Sequence, residues 1–284
     1  MSPRCILCID CSDRKEYLLR RKILALGPVI LVGAITTATA QDGTDDLGHS
    51  PDEAQSQDAA TRPFLFRRAV RDQKDIYTAP FHGRNVGWDV LFLAATGGLI
   101  AADKHISGGL SGDHAGVSKN ISDIGLYSMA ASASALWLSH FKTHDAHARE
   151  SGILVAEAFA NTVVVYSVTQ LMAGRERPTE GDGTGRFFQN RALGSSFPSG
   201  HSSFTWAIAS VVAHEYPKPW VRWLVYGTAS TVSVNRITSL NHFSADVAVG
   251  GVFGYLIGQR IFNAHCVLGL SSGCHSSRKI GTIN

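Results

Sequence analysis

Apolar segments alternate with glycine-rich or polar connections along most of the chain, and this pattern predicts its elements. The segments are rich in Ala, Gly and Leu, and they lack the period-two alternation and turn dipeptides that are typical of strands. We therefore predict six helices, over Val90–Ala102, Ile124–His140, Ile153–Gly174, Phe204–His214, Val221–Val234 and Val247–Ile261. Together they predict an all-α helical bundle over residues 63–264.

The polarity of the longest helix bears on whether the bundle crosses a membrane. A spanning helix needs about 20 largely apolar residues. Ile153–Gly174 is long enough, but it contains Glu157, Asn161 and Gln170, and the mean hydropathy of the chain is only +0.03. These features favour the buried helices of a soluble or surface-attached domain. A membrane-embedded bundle is the alternative.

The N-terminal residues have the pattern of an export signal. A basic cluster at residues 20–22 is followed by the apolar run Ile23–Ile35 and by Ala38-Thr39-Ala40, a small-x-small cleavage pattern. We predict that residues 1–40 are a signal peptide and that the protein is exported to the periplasm, with an uncleaved membrane anchor as the alternative. Because the following segment to Thr61 has six acidic residues and no Lys or Arg, we predict a disordered linker over 41–62.

The net charge changes once the export signal is set aside. The whole chain has 26 Lys+Arg and 23 Asp+Glu, and the first 40 residues contain six of the basic and three of the acidic ones. The remaining 20 of each leave no excess positive charge, which argues against a nucleic-acid partner. Cys266 and Cys274 follow the leader, and a disulfide between them is permitted in an oxidising compartment. They lie in residues 265–284, which we predict to be a flexible tail.

The strongest local cluster is Phe197-Pro198-Ser199-Gly200-His201, which directly precedes an apolar helical run. Ser199 and Gly200 are therefore expected at a helix start. Unpaired backbone N–H groups point outward there, and the helix dipole favours an anion. An ordinary N-cap would explain Ser199 equally well, but it would not explain His201.

Two further clusters contain cations and a second histidine. Arg175 and Arg177 end the long helix, and Arg236 precedes His242 and Asp246. Because the last two are four residues apart in a predicted helical stretch, the carboxylate is expected to accept a hydrogen bond from one imidazole nitrogen. The other nitrogen is then free to act as a nucleophile. Taken together, the clusters suit a tetrahedral oxyanion, although helix capping would explain each cluster alone.

These clusters resemble the three motifs of the type 2 phosphatidic acid phosphatase superfamily, which shares its site with class A acid phosphatases and vanadium haloperoxidases. The motifs are Lys, six residues, Arg-Pro; Pro-Ser-Gly-His; and Ser-Arg, five residues, His, three residues, Asp. The matching residues are Gln170 with Arg177-Pro178, Pro198 to His201, and Asn235-Arg236 with His242 and Asp246. The order and spacing of all three motifs are the same.

The resemblance implies a helical bundle of the acid phosphatase and vanadium haloperoxidase type. It implies a phosphatase that hydrolyses phosphomonoesters, lipid phosphates or diphosphates without a metal or another cofactor. His242 would form a phosphohistidine, Asp246 would orient it, and His201 would protonate the leaving oxygen. The phosphate-binding residues that it implies are Arg177, Arg236, Ser199, Gly200 and Gln170.

Gln170 is the main departure from the family pattern, because a neutral amide stands where the family has a lysine. Arg175 is a candidate to compensate for the lost charge. A vanadate-dependent haloperoxidase and a non-catalytic anion-binding or membrane-associated relative are the alternative functions. His140, His144 and His147 have helical spacing, but they are more typical of a polar helix end than of a metal site.

Overall fold

The computed structural model describes residues 67–83, 85–189 and 193–274. These residues belong to the compact unit Phe64–Asn284, and the other unit is Met1–Pro63. The predicted signal peptide and acidic linker lie outside the described residues. The assignments of a signal peptide and of a disordered linker therefore stay predictions.

The described part of the chain contains seven α-helices. They are α1 (described over residues 67–78), α2 (Val86–Gly108), α3 (Ala115–Thr143), α4 (Ala146–Ala173), α5 (Gly200–Glu215), α6 (Pro219–Thr238) and α7 (Ser244–His265), with short 3-10 helices at Ala79–Phe81 and Gly112–His114. The described part of the chain has no strand, only an isolated bridge between Leu268 and Ser271. The all-α prediction is confirmed.

The six predicted helices correspond to α2 to α7, and the structure lengthens most of them. Gly174 is the one predicted helical residue that lies outside, because it is the C-cap of α4 and has a left-handed φ of 50°. At the other end of α4, Asp145 is the N-cap, and its carboxylate accepts from the His147 backbone N–H at 2.9 Å. Helix α1 was not predicted from the sequence.

The centre of the bundle is the packing of α5 against α7. Glycines at 250, 254 and 258 form a stripe along α7, and α5 presents Ser199, Ser203 and Ala207 to it. A Cβ placed on Gly254 would lie 2.0 Å from the Ser203 carbonyl oxygen. The two backbones therefore approach as closely as they do because α7 lacks side chains at these positions.

Helix α1 is attached to the bundle largely by polar contacts. Arg68 pairs with Glu157 of α4 at 2.8 Å, and Gln73 donates to the Asn161 side chain at 2.7 Å. Just after α7, a disulfide joins Cys266 to Cys274. The part of the predicted tail up to residue 274 is therefore closed into a loop, and residues 275–284 lie outside the described residues.

Helix α2 reverses the usual distribution of apolar and polar residues. Its one buried residue is Asp103, whereas Trp88 is 75% exposed and Leu93 is 67% exposed. Water-soluble bundles bury the apolar stripe of a helix and expose its charged residues. An inverted helix of this kind is expected where apolar side chains face a medium other than water.

Candidate active site

The three sequence clusters meet at one end of the bundle. The C-termini of α4 and α6 and the N-termini of α5 and α7 all lie there. The backbone N–H of Ser199 donates to the Asp246 carbonyl at 2.9 Å, and the N–H of His242 donates to the Arg236 carbonyl at 3.2 Å. Backbone hydrogen bonds thus join the start of α5 to the first turn of α7 and close the short α6–α7 connection.

His242 is positioned by a backbone carbonyl rather than by Asp246. It lies in the loop two residues before α7, so the expectation of a shared helical face is wrong. Its Nδ1 is 2.7 Å from the Ser196 carbonyl oxygen, whereas the nearest Asp246 oxygen is 4.0 Å away. Because a carbonyl only accepts, Nδ1 carries the proton and Nε2 keeps its lone pair.

Asp246 has other partners, which explain its distance from His242. Its Oδ2 accepts from the Phe243 backbone N–H at 2.9 Å and thereby caps α7. The same oxygen accepts from the Ser196 hydroxyl at 2.5 Å. Ser196 therefore bonds the carboxylate through its side chain and the imidazole through its carbonyl. Ser196, which belongs to none of the three motifs, thus links Asp246 to His242.

Arg175 is committed to two buried carboxylates and does not compensate for Gln170. Its Nη1 is 2.6 Å from Asp246 Oδ1, and its Nη2 is 2.9 Å from Asp103 Oδ2. All three side chains are fully buried, and the guanidinium also lies 4.2 Å from the Phe243 ring centroid. The proposed role as a substitute cation is thus contradicted, since the guanidinium is enclosed by protein.

Asp103 and Asp123 are the two carboxylates that the sequence analysis did not select. Asp103 directly follows the apolar run of α2, and an acidic residue there was the available signal. Asp123 Oδ1 lies 2.9 Å from His201 Nε2 and 3.4 Å from Arg236 Nη1. Helix α3 therefore also contributes a side chain to the site.

Gln170 and Arg177 hold the loop between α4 and α5. The Gln170 amide donates to the Ser195 and Pro198 carbonyls at 2.7 and 3.4 Å, and its oxygen accepts from the Gly194 N–H at 2.7 Å. Both amide hydrogens therefore have backbone partners, and neither is left for a phosphoryl oxygen. Arg177 donates to the Gly194 carbonyl at 3.0 Å and to Asn241 at 3.3 Å.

Two buried polar atoms of the predicted site have no hydrogen-bond partner among the described residues: Ser199 Oγ and Arg236 Nε. Ser199 is the N-cap of α5, yet its hydroxyl makes no capping bond. A buried polar group without a partner costs about 1–3 kcal/mol, so each such atom calls for an explanation. Both residues belong to the motifs that predict an oxyanion site.

Burial and neighbouring charge set the protonation of the two histidines. Burial lowers the pKa of the His242 imidazole well below its usual value, and the Arg236 and Arg177 cations lower it further. Burial also lowers the pKa of His201, and its hydrogen bond to Asp123 acts in the opposite direction. At neutral pH, His242 is therefore an uncharged base with a free Nε2.

Comparison with known proteins agrees with this geometry. Residues 151–266 match the family described as the PAP2 superfamily. This segment, which is less than half of the chain, is similar to the PAP2 superfamily. It spans most of α4 and all of α5 to α7, and it contains every residue that the three motifs selected.

A lipid A 1-phosphatase of Porphyromonas gingivalis is 32% identical over 77 residues, which are 26% of this chain and 17% of that protein. The chain thus matches less than a fifth of the length of this curated relative. A solved structure of a transmembrane PAP2-type phosphatidylglycerolphosphate phosphatase from Bacillus subtilis covers 62% of this chain and 92% of its own, with 22% identity and a TM-score of 0.46.

The contacts of Arg175 predict a large effect on stability. Arg175→Met should lower the free energy of unfolding by about 3–5 kcal/mol, because it leaves two buried carboxylates without their counter-charge. The control is Arg186→Met in the same loop, which removes the exposed pair with Glu176. Denaturant unfolding followed by circular dichroism measures both, and the control should leave the midpoint unchanged. Equal midpoints for the Arg175 variant and the wild type would contradict this account of the ion-pair network.

Proposed function

We propose that this chain is a membrane-associated phosphatase that hydrolyses a lipid phosphate through a phosphohistidine on His242. The observation that carries the proposal is the pair of unpartnered buried atoms, Ser199 Oγ and Arg236 Nε. A bound phosphoryl oxygen would satisfy both, since one is a hydroxyl and the other a guanidinium N–H. The PAP2 family match and the lipid phosphatase activity in the name of the P. gingivalis relative support the same reaction.

In the first step, the Nε2 lone pair of His242 attacks phosphorus and the bond from phosphorus to the leaving oxygen breaks. Ser196 keeps the proton on Nδ1, so the reacting lone pair is directed away from that bond. His201, in its protonated form, gives its proton to the leaving oxygen. General acid catalysis of this kind contributes about 10²–10⁴-fold.

In the second step, water attacks phosphorus and gives a proton to His201, while the phosphorus–nitrogen bond breaks. Inorganic phosphate leaves, and both histidines return to their starting forms. Arg177, Arg236 and the N-terminus of α5 stabilise negative charge on the three remaining phosphoryl oxygens in both steps. In this scheme, positive charge from the protein stabilises the phosphoryl oxygens in both steps, and no step uses a metal ion.

Replacement of the nucleophile is the direct test. The full-length chain in detergent should release phosphate from p-nitrophenyl phosphate and from phosphatidate, with EDTA present. His242→Gln should reduce this release by at least about 10⁴-fold, because the covalent route is lost. The matched control is His144→Gln at the other end of α3, which should keep the wild-type rate. Phosphate release by His242→Gln at a similar rate, or loss of wild-type activity in EDTA, would contradict the mechanism.

The inverted helix α2 supports association with a membrane. Helices α2 and α4 are each long and apolar enough to cross a bilayer. In the window of highest hydropathy on α2, only 6% of the residues are buried within the protein, so most of its residues are at least partly exposed. Exposed apolar surface of this extent is unfavourable in water and is expected against lipid.

The polar residues that had argued against a spanning α4 have partners inside the protein. Glu157 pairs with Arg68, Asn161 accepts from Gln73, and Gln170 bonds to the loop backbone. Polar groups within a membrane are tolerated when they face other helices and are hydrogen-bonded there. These three polar residues are therefore compatible with a membrane-spanning α4.

Extraction from membranes tests this part of the proposal. When membranes of cells that produce the full chain are washed with alkaline carbonate, the protein should remain in the pellet, and detergent should then release it. A peripheral marker protein in the same preparation should appear in the wash. Release of this chain by carbonate alone would contradict insertion of α2 and α4.

An apolar groove next to the site supports a lipid substrate. It has a volume of about 490 Å³ between α3 and α6 and is lined by Ile121, Ile124, Gly125, Trp223, Leu224, Gly227, Thr228, Thr231 and Val232. The end of the groove at Ile121 adjoins the site, because the next residue on α3, Ser122, accepts a hydrogen bond from Arg236 Nη1 at 3.2 Å. The groove extends along α6 from Trp223 to Val232, which is about 13.5 Å at a rise of about 1.5 Å per residue. A hydrocarbon chain attached to a bound phosphate would fit along it.

Filling the groove should separate lipid from soluble substrates. A side chain at Gly227 meets no atom within 4 Å of its Cβ, so Gly227→Phe should fold. It should lower kcat/KM for long-chain phosphatidate at least about tenfold, because two or more methylenes lose their buried position. Hydrolysis of p-nitrophenyl phosphate should stay within about twofold of wild type, as should both activities of the control Gly97→Phe on α2. Equal loss on both substrates would contradict a chain-binding groove.

A further inference from the structure

Asp123 places a negative charge inside a site that has to bind an anion. Its carboxylate contacts His201 Nε2 at 2.9 Å and Arg236 Nη1 at 3.4 Å. Asp123 thus contacts both the proposed general acid, His201, and the proposed phosphate-binding cation, Arg236, and fixes their relative positions. The same charge repels a phosphoryl group and offsets one of the two arginines of the motifs.

Lys119 lies one helical turn before Asp123 on α3. Its Nζ is 2.6 Å from Asp123 Oδ2, the oxygen that His201 and Arg236 leave unused. The Lys119 side chain is 47% exposed, so it lies at the solvent-facing side of the Asp123 carboxylate. Neither residue belongs to a sequence motif, and both precede the segment 151–266 that matches the PAP2 family.

We propose that Lys119 and Asp123 act as one electrostatic unit, in which Asp123 positions His201 and Arg236 while Lys119 restores the positive charge that a phosphate needs. The inference rests on the proposed phosphatase function. Gln170 is neutral and adds no positive charge, and its amide is already bonded to the loop backbone. Lys119 is then the third cation near the phosphoryl group, beside Arg177 and Arg236.

The electrostatics of the pair agree with this division of roles. Although burial alone would raise the pKa of Asp123, hydrogen bonds from His201 and Lys119 lower it to about 2. Asp123 therefore stays ionised at every pH at which the enzyme would work. Two permanent cations contact this negative charge, Arg236 at 3.4 Å and Lys119 at 2.6 Å, and of the two only Arg236 belongs to a phosphate-binding motif.

Binding of orthovanadate to the full chain in detergent separates the two roles, because it reports on the charge of the site without turnover. Lys119→Met should weaken vanadate binding at least about tenfold, and less at high salt, since the ammonium is partly exposed. Lys119→Arg should bind within about threefold of wild type. The matched control is Lys142→Met near the other end of α3, which should bind as the wild type does.

The isosteric change Asp123→Asn should have the opposite effect on binding. It should tighten vanadate binding, but lower kcat for phosphatidate at least about tenfold, because His201 loses its charged partner. In the double variant Lys119→Met/Asp123→Asn, vanadate affinity should return to within about threefold of wild type, while kcat stays low. This pattern of restored binding without restored turnover is not expected from a lysine that merely stabilises α3.

Two results would overturn the inference. One is wild-type vanadate affinity in Lys119→Met, and the other is a double variant that binds as weakly as Lys119→Met alone. If the wild-type chain neither binds vanadate nor releases phosphate, the proposed phosphatase function itself fails. The two failures are therefore distinguishable in the same set of proteins.

Discussion

The site depends on one buried guanidinium. Arg175 bridges Asp103 of α2 and Asp246 of α7, and without it both buried carboxylates would lose their counter-charge. Asp103 in turn accepts from the Ala245 N–H at 3.1 Å, so both carboxylates bind the first turn of α7. The position of His242, two residues before that helix, follows from this arrangement. The geometry of the proposed site and the folding of this end of the bundle therefore rest on the same ion pairs.

The sequence could predict the helices and the motif residues, because both depend on local patterns. The apolar runs mark α2 to α7, and the spacing of Arg177, His201, Arg236 and His242 is visible in the printed chain. The contacts of Asp246 were not predictable in this way. A four-residue spacing suggested a direct bond to His242, but the competing demands of Arg175, Ser196 and the α7 N-cap are tertiary. For the same reason, composition could not tell which residues face outward on α2.

The inverted helix α2 links the medium around the protein to its chemistry. A single buried carboxylate, Asp103, fastens this helix to the site, while its apolar side chains point away from the bundle. In a lipid environment the apolar face costs nothing to expose, and the ion pair to Arg175 becomes stronger as the local dielectric constant falls. In water the same helix would expose a large apolar surface. If the proposal of membrane association is right, the bilayer stabilises the element that completes the buried ion-pair network.

Position 170 shows how a departure from a motif can be explained by the structure around it. A glutamine both donates and accepts, and Gln170 uses both properties to bind the backbone at Gly194, Ser195 and Pro198. A lysine has three donors and no acceptor, so it could not receive the Gly194 N–H. The amide therefore fixes the loop that carries Ser196 and Ser199, at the expense of one positive charge. On our proposal that charge is provided from α3 by Lys119, so that the residue that shapes the loop and the residue that attracts the phosphate are separate.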